Sequence, residues 1–174
     1  KQCLVGSEMC IRDRNCYEDL ADEINIIGEK FPEEFKWDYF GKIFQDAFNS
    51  SKGDWIFRMD VDYFFHEKDI PKIRRILNKY STSPAIAFPQ YQIFTPDRYQ
   101  LKTKICLALN KKEFPEIKLN GGGDLVLPTL NGKLIEVSDV PNVKIPIYQY
   151  DSTFRTKEIL SLIHISEPTR HCLI

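Results

Sequence analysis

The stretch Gly53-Asp54-Trp55-Ile56-Phe57-Arg58-Met59-Asp60-Val61-Asp62 decides the fold, because a hydrophobic strand here runs into two carboxylates separated by one residue. Trp55, Ile56, Phe57 and Met59 supply β-forming bulk, and Gly53 and Asp54 punctuate the start. In an extended chain Asp60 and Asp62 share one face, where they repel unless a cation sits between them. Oxygen-only ligands suit Mg²⁺ or Mn²⁺, and open α/β sheets bind ligands beyond the carboxyl ends of their strands. A phosphate-bearing substrate is therefore the expected partner. The alternative is a polar turn after a buried strand, with both carboxylates capping backbone donors.

The two ends of the chain read differently from its middle. Leu160-Ser161-Leu162-Ile163-His164-Ile165-Ser166-Glu167-Pro168-Thr169-Arg170 resembles the translation of a transposase-type sequencing adapter. The reverse complement of the same oligonucleotide, read one base along, translates as Leu4-Val5-Gly6-Ser7-Glu8-Met9-Cys10-Ile11-Arg12-Asp13. One inverted oligonucleotide accounts for both, so residues 1–14 and 160–174 are set aside as adapter-derived and residues 15–159 are read as the folded part. Those flanks are expected to lie against the surface or fill a gap.

Setting them aside leaves Cys16, Cys106 and His66 as the only cysteines and histidine. No zinc set, disulfide framework or Cys-His nucleophile pair can be built from these. Cys16 and Cys106 read as small core hydrophobes and His66 as a surface residue. The 24 basic residues fall to 20 and the 25 acidic to 22, a net charge of about −2, so nucleic acid is not an expected partner. No apolar run is long enough to span a bilayer. The expected setting is a reducing cytoplasmic compartment, extending to the inner membrane face.

Within 15–159, Leu20, Ile24 and Ile27 follow helical spacing, with Gly28 and Phe31-Pro32 closing the segment. Trp37, Phe40, Phe44, Ala47 and Phe48 form a second helical stripe that reads as core. After the Asp62 strand, Asp69 is placed to cap a helix with Pro71 in its first turn and Ile73, Ile76, Leu77 and Tyr80 on its inner face. Ala85–Phe88, Gln92–Phe94 and Lys104–Leu109 read as strands, with Pro89 marking an edge or bulge. Strand, helix, strand implies a layered α/β domain. Gly121-Gly122-Gly123 allows the backbone to approach a ligand and sets Asp124 either as a helix N-cap or as a group aimed into the site. Lys144–Asp151 is strand-like. Arg155 and Lys157 beyond it face either a diphosphate or solvent.

These residues together resemble family 2 glycosyltransferases, in which a Gly-Asp-Trp strand runs into Asp-X-Asp. The helix ending Ala47-Phe48-Asn49, the helix after the strand, and Ile147–Asp151 with Phe154–Glu158 add to the likeness, which covers most of Glu29 to Glu158. The resemblance implies a GT-A fold, an α/β/α sandwich on a mostly parallel mixed sheet, incomplete at its N-terminus. Asp60 would then lie near the ribose or the metal, and Asp62 would hold the Mn²⁺ or Mg²⁺ that bridges the diphosphate. Arg155 and Lys157 would face that diphosphate, and Asp124 would deprotonate the acceptor. The implied partners are a nucleotide-diphospho-sugar donor and a glycan, lipid or protein hydroxyl acceptor. The chain departs from the family in two places. Its opening strand and Asp-containing nucleobase loop are missing from these residues, so the piece alone is expected to be inactive. Gln149 stands where some members have a metal-binding His.

In such a transfer a cation at Asp62 neutralises the departing diphosphate, and a carboxylate such as Asp124 takes the proton of the attacking hydroxyl, with inversion at the sugar. A phosphohydrolase of the haloacid dehalogenase type also places Asp-X-Asp after a strand but wants a small Thr or Val where this chain has Phe64. A non-catalytic sugar- or metal-binding remnant of the same fold is the alternative outside enzymology.

Overall fold

A computed structural model describes residue 17 and residues 20–26, 37–60, 62–95, 98–120, 127–150 and 171–173. In chain order these form β1 (Asn25–Ile26), α1 (Trp37–Ser50), β2 (Trp55–Asp60), β3 (Tyr63–Phe64), a 3-10 turn (Glu67–Asp69) and α2 (Ile70–Lys79). There follow β4 (Ala85–Thr95), β5 (Arg98–Asn110), β6 (Lys118–Asn120), β7 (Leu127–Leu130), β8 (Lys133–Leu134), a second 3-10 turn (Val137–Asp139), β9 (Ile147–Gln149) and β10 (His171–Leu173). Seven strands make one sheet in the order β1, β10, β2, β5, β4, β9, β3, and β6, β7 and β8 make a second, smaller one.

The molecule is mixed α/β, built as layers on the large sheet. β2 is buried from Ile56 to Asp60 because both its faces are covered. Phe57 and Met59 pack with Phe88, Ile105, Ile147 and with Ile70 and Ile73 of α2. Ile56 packs on the other side with Phe44, Ala47 and Phe48 of α1 and with Ile117, Leu119 and Ile135 from the small-sheet region. Phe44, Ala47 and Phe48 are spaced i, i+3, i+4, so a single stripe of α1 enters the core. A helix of this length is marginal alone, and burying two phenylalanines, at roughly 1.5–3 kcal/mol each, supplies what propensity does not.

The expected mostly parallel sheet is corrected here: among the described pairs only β4 with β9 runs parallel. Thr95 pairs with Arg98, which joins β4 and β5 as a hairpin too short for the crossover helix a parallel pair needs. The helical reading around Leu20–Ile27 is also corrected at Asn25–Ile26, which is strand, paired with β10. The crowded Ile24, Ile26 and Ile27 favour an extended chain with a partner to pair against. Pro89 lies within β4, inside the sheet. It falls between the Ala87–Asn142 bridge and the β9 pairing that begins at Gln90, where a missing N–H costs least.

α2 starts as its sequence suggests, with Asp69 at the N-cap position and Pro in the first turn. The Asp69 side chain makes no cap bond and pairs instead with Lys72. His66 is exposed and caps the 3-10 turn by accepting from the Lys68 amide at 3.3 Å. β7 and β8 are joined by Asn131 (φ 51°) and Gly132 (φ 76°), the two-residue connection that left-handed backbone at both positions requires. β10 lies within the span read as adapter-derived, and it sits between β1 and β2, with His171 opposite Asp60 and Leu173 opposite Arg58. Among the described residues no helix is long and apolar enough to cross a membrane.

Candidate functional site

Half of the buried polar side chains of the described core, four of eight, fall in one place. Arg58, Asp60, Gln90 and Gln149 are each at most 7% exposed, and all lie where β2, β4 and β9 end or pass. Buried polar groups are costly unless bonded, so such a concentration marks a built network.

Asp60 closes β2 and is 5% exposed; Asp62, in the turn that follows, is half-buried. Both therefore lie at the carboxyl end of the strand, as the sequence implies, but Asp60 is enclosed by protein. The strand ends inside protein because β10 covers its edge there and Tyr63 turns back over it. The Tyr63 hydroxyl is hydrogen-bonded to Asp60 and accepts from Gln90 Nε2 at 2.9 Å. Gln90 Nε2 also donates to Gln149 Oε1 at 2.7 Å, and Gln149 Nε2 donates to Asp62 Oδ2 at 3.1 Å. One chain of bonds thus runs from Asp60 through Tyr63, Gln90 and Gln149 to Asp62. The Tyr150 amide fixes the turn by donating to the Asp62 carbonyl at 3.0 Å, and Tyr17 donates to the Tyr63 carbonyl.

Burial first, and then the negative charge of Asp60, push the Tyr63 hydroxyl well above the usual tyrosine range, with Asp62 adding to this and Arg58 opposing it. Tyr63 therefore stays a proton-bearing donor toward Asp60 at any ordinary pH.

A cation enters this network through Lys102. The β4–β5 register passes from Gln90 opposite Thr103 to Tyr91 opposite Leu101, leaving Lys102 as the extra residue of a bulge. Its Nζ donates to Gln149 Oε1 at 3.3 Å. Bulges re-aim side chains, and this one brings an exposed lysine from a projecting hairpin to the carboxylate site.

The polar groups gathered here are two carboxylates and the Gln149 amide, whose nitrogen faces Asp62 and whose oxygen faces Gln90 and Lys102. No group of three His, Cys, Asp or Glu capable of holding a metal occurs among the described residues. Carboxylate oxygen is the ligand type that hard divalent cations take, and Asp62 is the more accessible of the two carboxylates. Asp124, Arg155 and Lys157 lie outside the described residues. Tyr63, Gln90 and Lys102 are the members sequence reading missed. Tyr63 adjoins the two aspartates, and Gln90 breaks an apolar strand, but nothing local marks Lys102. Cys106 is half-buried, and burial followed by the charge of Glu136 pushes its thiol up to about 11, an inert group rather than a nucleophile. A separate cleft of about 730 Å³ opens at the other end of β2, beside Gly53, Asp54 and Arg74.

No protein-family model matches the chain, and no curated protein matches it.

Proposed function

We propose that this chain is part of a metal-dependent glycosyltransferase of GT-A type, which moves a sugar from a nucleotide-diphospho-sugar to a hydroxyl acceptor with inversion. The observation that carries the reading is the pair Asp60 and Asp62 at the carboxyl end of a core strand, linked through Gln149 to Lys102. Asp62 is the accessible ligand, and Asp60, held by Tyr63, sets the negative potential behind it. A bound Mn²⁺ or Mg²⁺ would supply charge neutralisation for a diphosphate leaving group. Asp62 would hold such an ion, and Lys102, exposed and bonded to Gln149, would add positive charge on the phosphate side. The Gln149 amide nitrogen donates to the Asp62 carboxylate. Asp124, by the family likeness, is assigned the proton from the acceptor hydroxyl, with Arg155 and Lys157 on the diphosphate side.

The test is Mn²⁺ binding followed by electron paramagnetic resonance, without and with UDP or GDP. Wild-type protein should take up Mn²⁺ and hold it more tightly with a diphosphate present. Asp62→Asn should weaken uptake by about tenfold or more, since charge count sets affinity in oxygen-ligand sites. Equal uptake by Asp62→Asn, or no influence of either diphosphate, would overturn the reading.

A further inference from the structure

The face of β4 turned away from Gln90 carries a second feature. By strand alternation Tyr91 points opposite to Gln90, and it pairs in register with Tyr148 of β9. Tyr91, Tyr99 and Tyr148, with Lys104, Lys144 and Pro146, line an open groove of about 680 Å³. The Tyr91 ring lies 5.9 Å from that of Tyr99 at 63°, and 6.4 Å from that of Tyr148 at 38°. Tyr99 is 66% exposed, and Lys104 and Lys144 are exposed at the rim. No described acidic residue lines the groove.

We propose that this groove binds an anionic saccharide, a short sugar chain bearing carboxylate or phosphate groups. Three tyrosines set at angles offer ring faces for the C–H faces of pyranoses and hydroxyls for their polar edges. A purely apolar ligand would leave those hydroxyls unpaired, and a neutral sugar would leave the two ammonium groups without a partner. The volume falls in the range of roughly 300–1,000 Å³ typical of small-ligand sites. A nucleic acid fits less well. Its affinity rests on many phosphate contacts, whereas this groove offers two lysines on a chain of net charge −1. The inference does not rest on the transfer reaction, because none of these residues belongs to the Asp62 network.

The probes are tri-galacturonate, neutral maltotriose and a thymidine trinucleotide, titrated by calorimetry and by amide NMR shifts. Tri-galacturonate should bind, shift the amides of Tyr91, Tyr99, Lys144 and Tyr148, and bind at least about tenfold more tightly than maltotriose. The double variant Lys104→Glu/Lys144→Glu should weaken it by about tenfold or more, Tyr99→Ala by about fivefold, and Tyr99→Phe by less. These side chains are exposed, so unchanged melting curves are expected. Asp62→Asn should leave this binding intact even if it abolishes Mn²⁺ uptake, which separates this inference from the proposed function. Failure of tri-galacturonate to bind, equal binding of maltotriose, tighter binding of the trinucleotide, or indifference to the lysine and Tyr99 variants would each overturn it.

Discussion

Gln149 is the residue on which the site turns, since its amide touches Asp62 on one side and Gln90 and Lys102 on the other. Gln149→Glu would place a third carboxylate there and remove the N–H that now screens Asp62. Without metal the added repulsion should destabilise the fold by about 1–3 kcal/mol. With Mn²⁺ the same variant should recover that stability and bind the ion more tightly than wild type. Thermal melts with and without Mn²⁺ read both effects, and a variant whose melting point ignores Mn²⁺ would refute the ligand role. Cys106 gives a pH signature. Its folded thiol lies up at about 11 against an ordinary 9.0, so the unfolded chain loses this proton first as pH rises. The resulting stability is full below pH 9 and is lost between about pH 9 and 11. Cys106→Ala should flatten the alkaline loss of stability across that window, and an unchanged slope in denaturant titrations would count against it.

Among the elements, α1 and the β7–β8 hairpin depend on different physics. Phe48 is fully buried beside Phe44 and Ile56, so Phe48→Ala leaves a cavity and should cost about 3–5 kcal/mol. Gly132 holds φ 76° with open space around the position of a Cβ, so Gly132→Ala should cost only backbone strain, about 1 kcal/mol. Urea midpoints for the two variants should differ in that order, and an equal loss would mean that the hairpin is coupled to the core more tightly than its geometry implies. Lys102 belongs at this scale as well. It reaches the site because β5 carries a bulge, and straightening β5 by deleting Thr103 should uncouple Lys102 from Gln149 while leaving the buried half of β5 in place.

For the whole molecule, the question is what β10 contributes. All three of its residues pair with β2, and Cys172 and Leu173 pair with β1 as well, each ladder bond being worth about 0.5–1.5 kcal/mol net. Fixing three residues costs roughly 1–2 kcal/mol each, so the two terms nearly cancel. Deleting residues 160–174 should therefore leave the melting temperature within about 4 °C of the parent. It should also uncover the β2 edge and promote self-association, visible by size-exclusion chromatography. A loss of cooperative melting on deletion would show that β10 is integral to the sheet, against the expectation drawn from its adapter-like sequence.

At that same scale the division between sequence and tertiary structure is clear. Local chemistry alone determined the β2 strand and its terminal aspartates, the α1 stripe, the start of α2 and the apolar strands of β4 and β5. In each case periodicity or a turn residue marks the element in the chain, and packing then stabilises it. Strand direction in the sheet was not legible, because pairing order depends on which edges meet and the same β-forming residues serve either orientation. The burial of Asp60 and the path from Lys102 through Gln149 to Asp62 were decided only by tertiary structure. They join residues tens of positions apart across three strands and a bulge, and a hydrogen bond between distant side chains leaves no periodic trace in the chain.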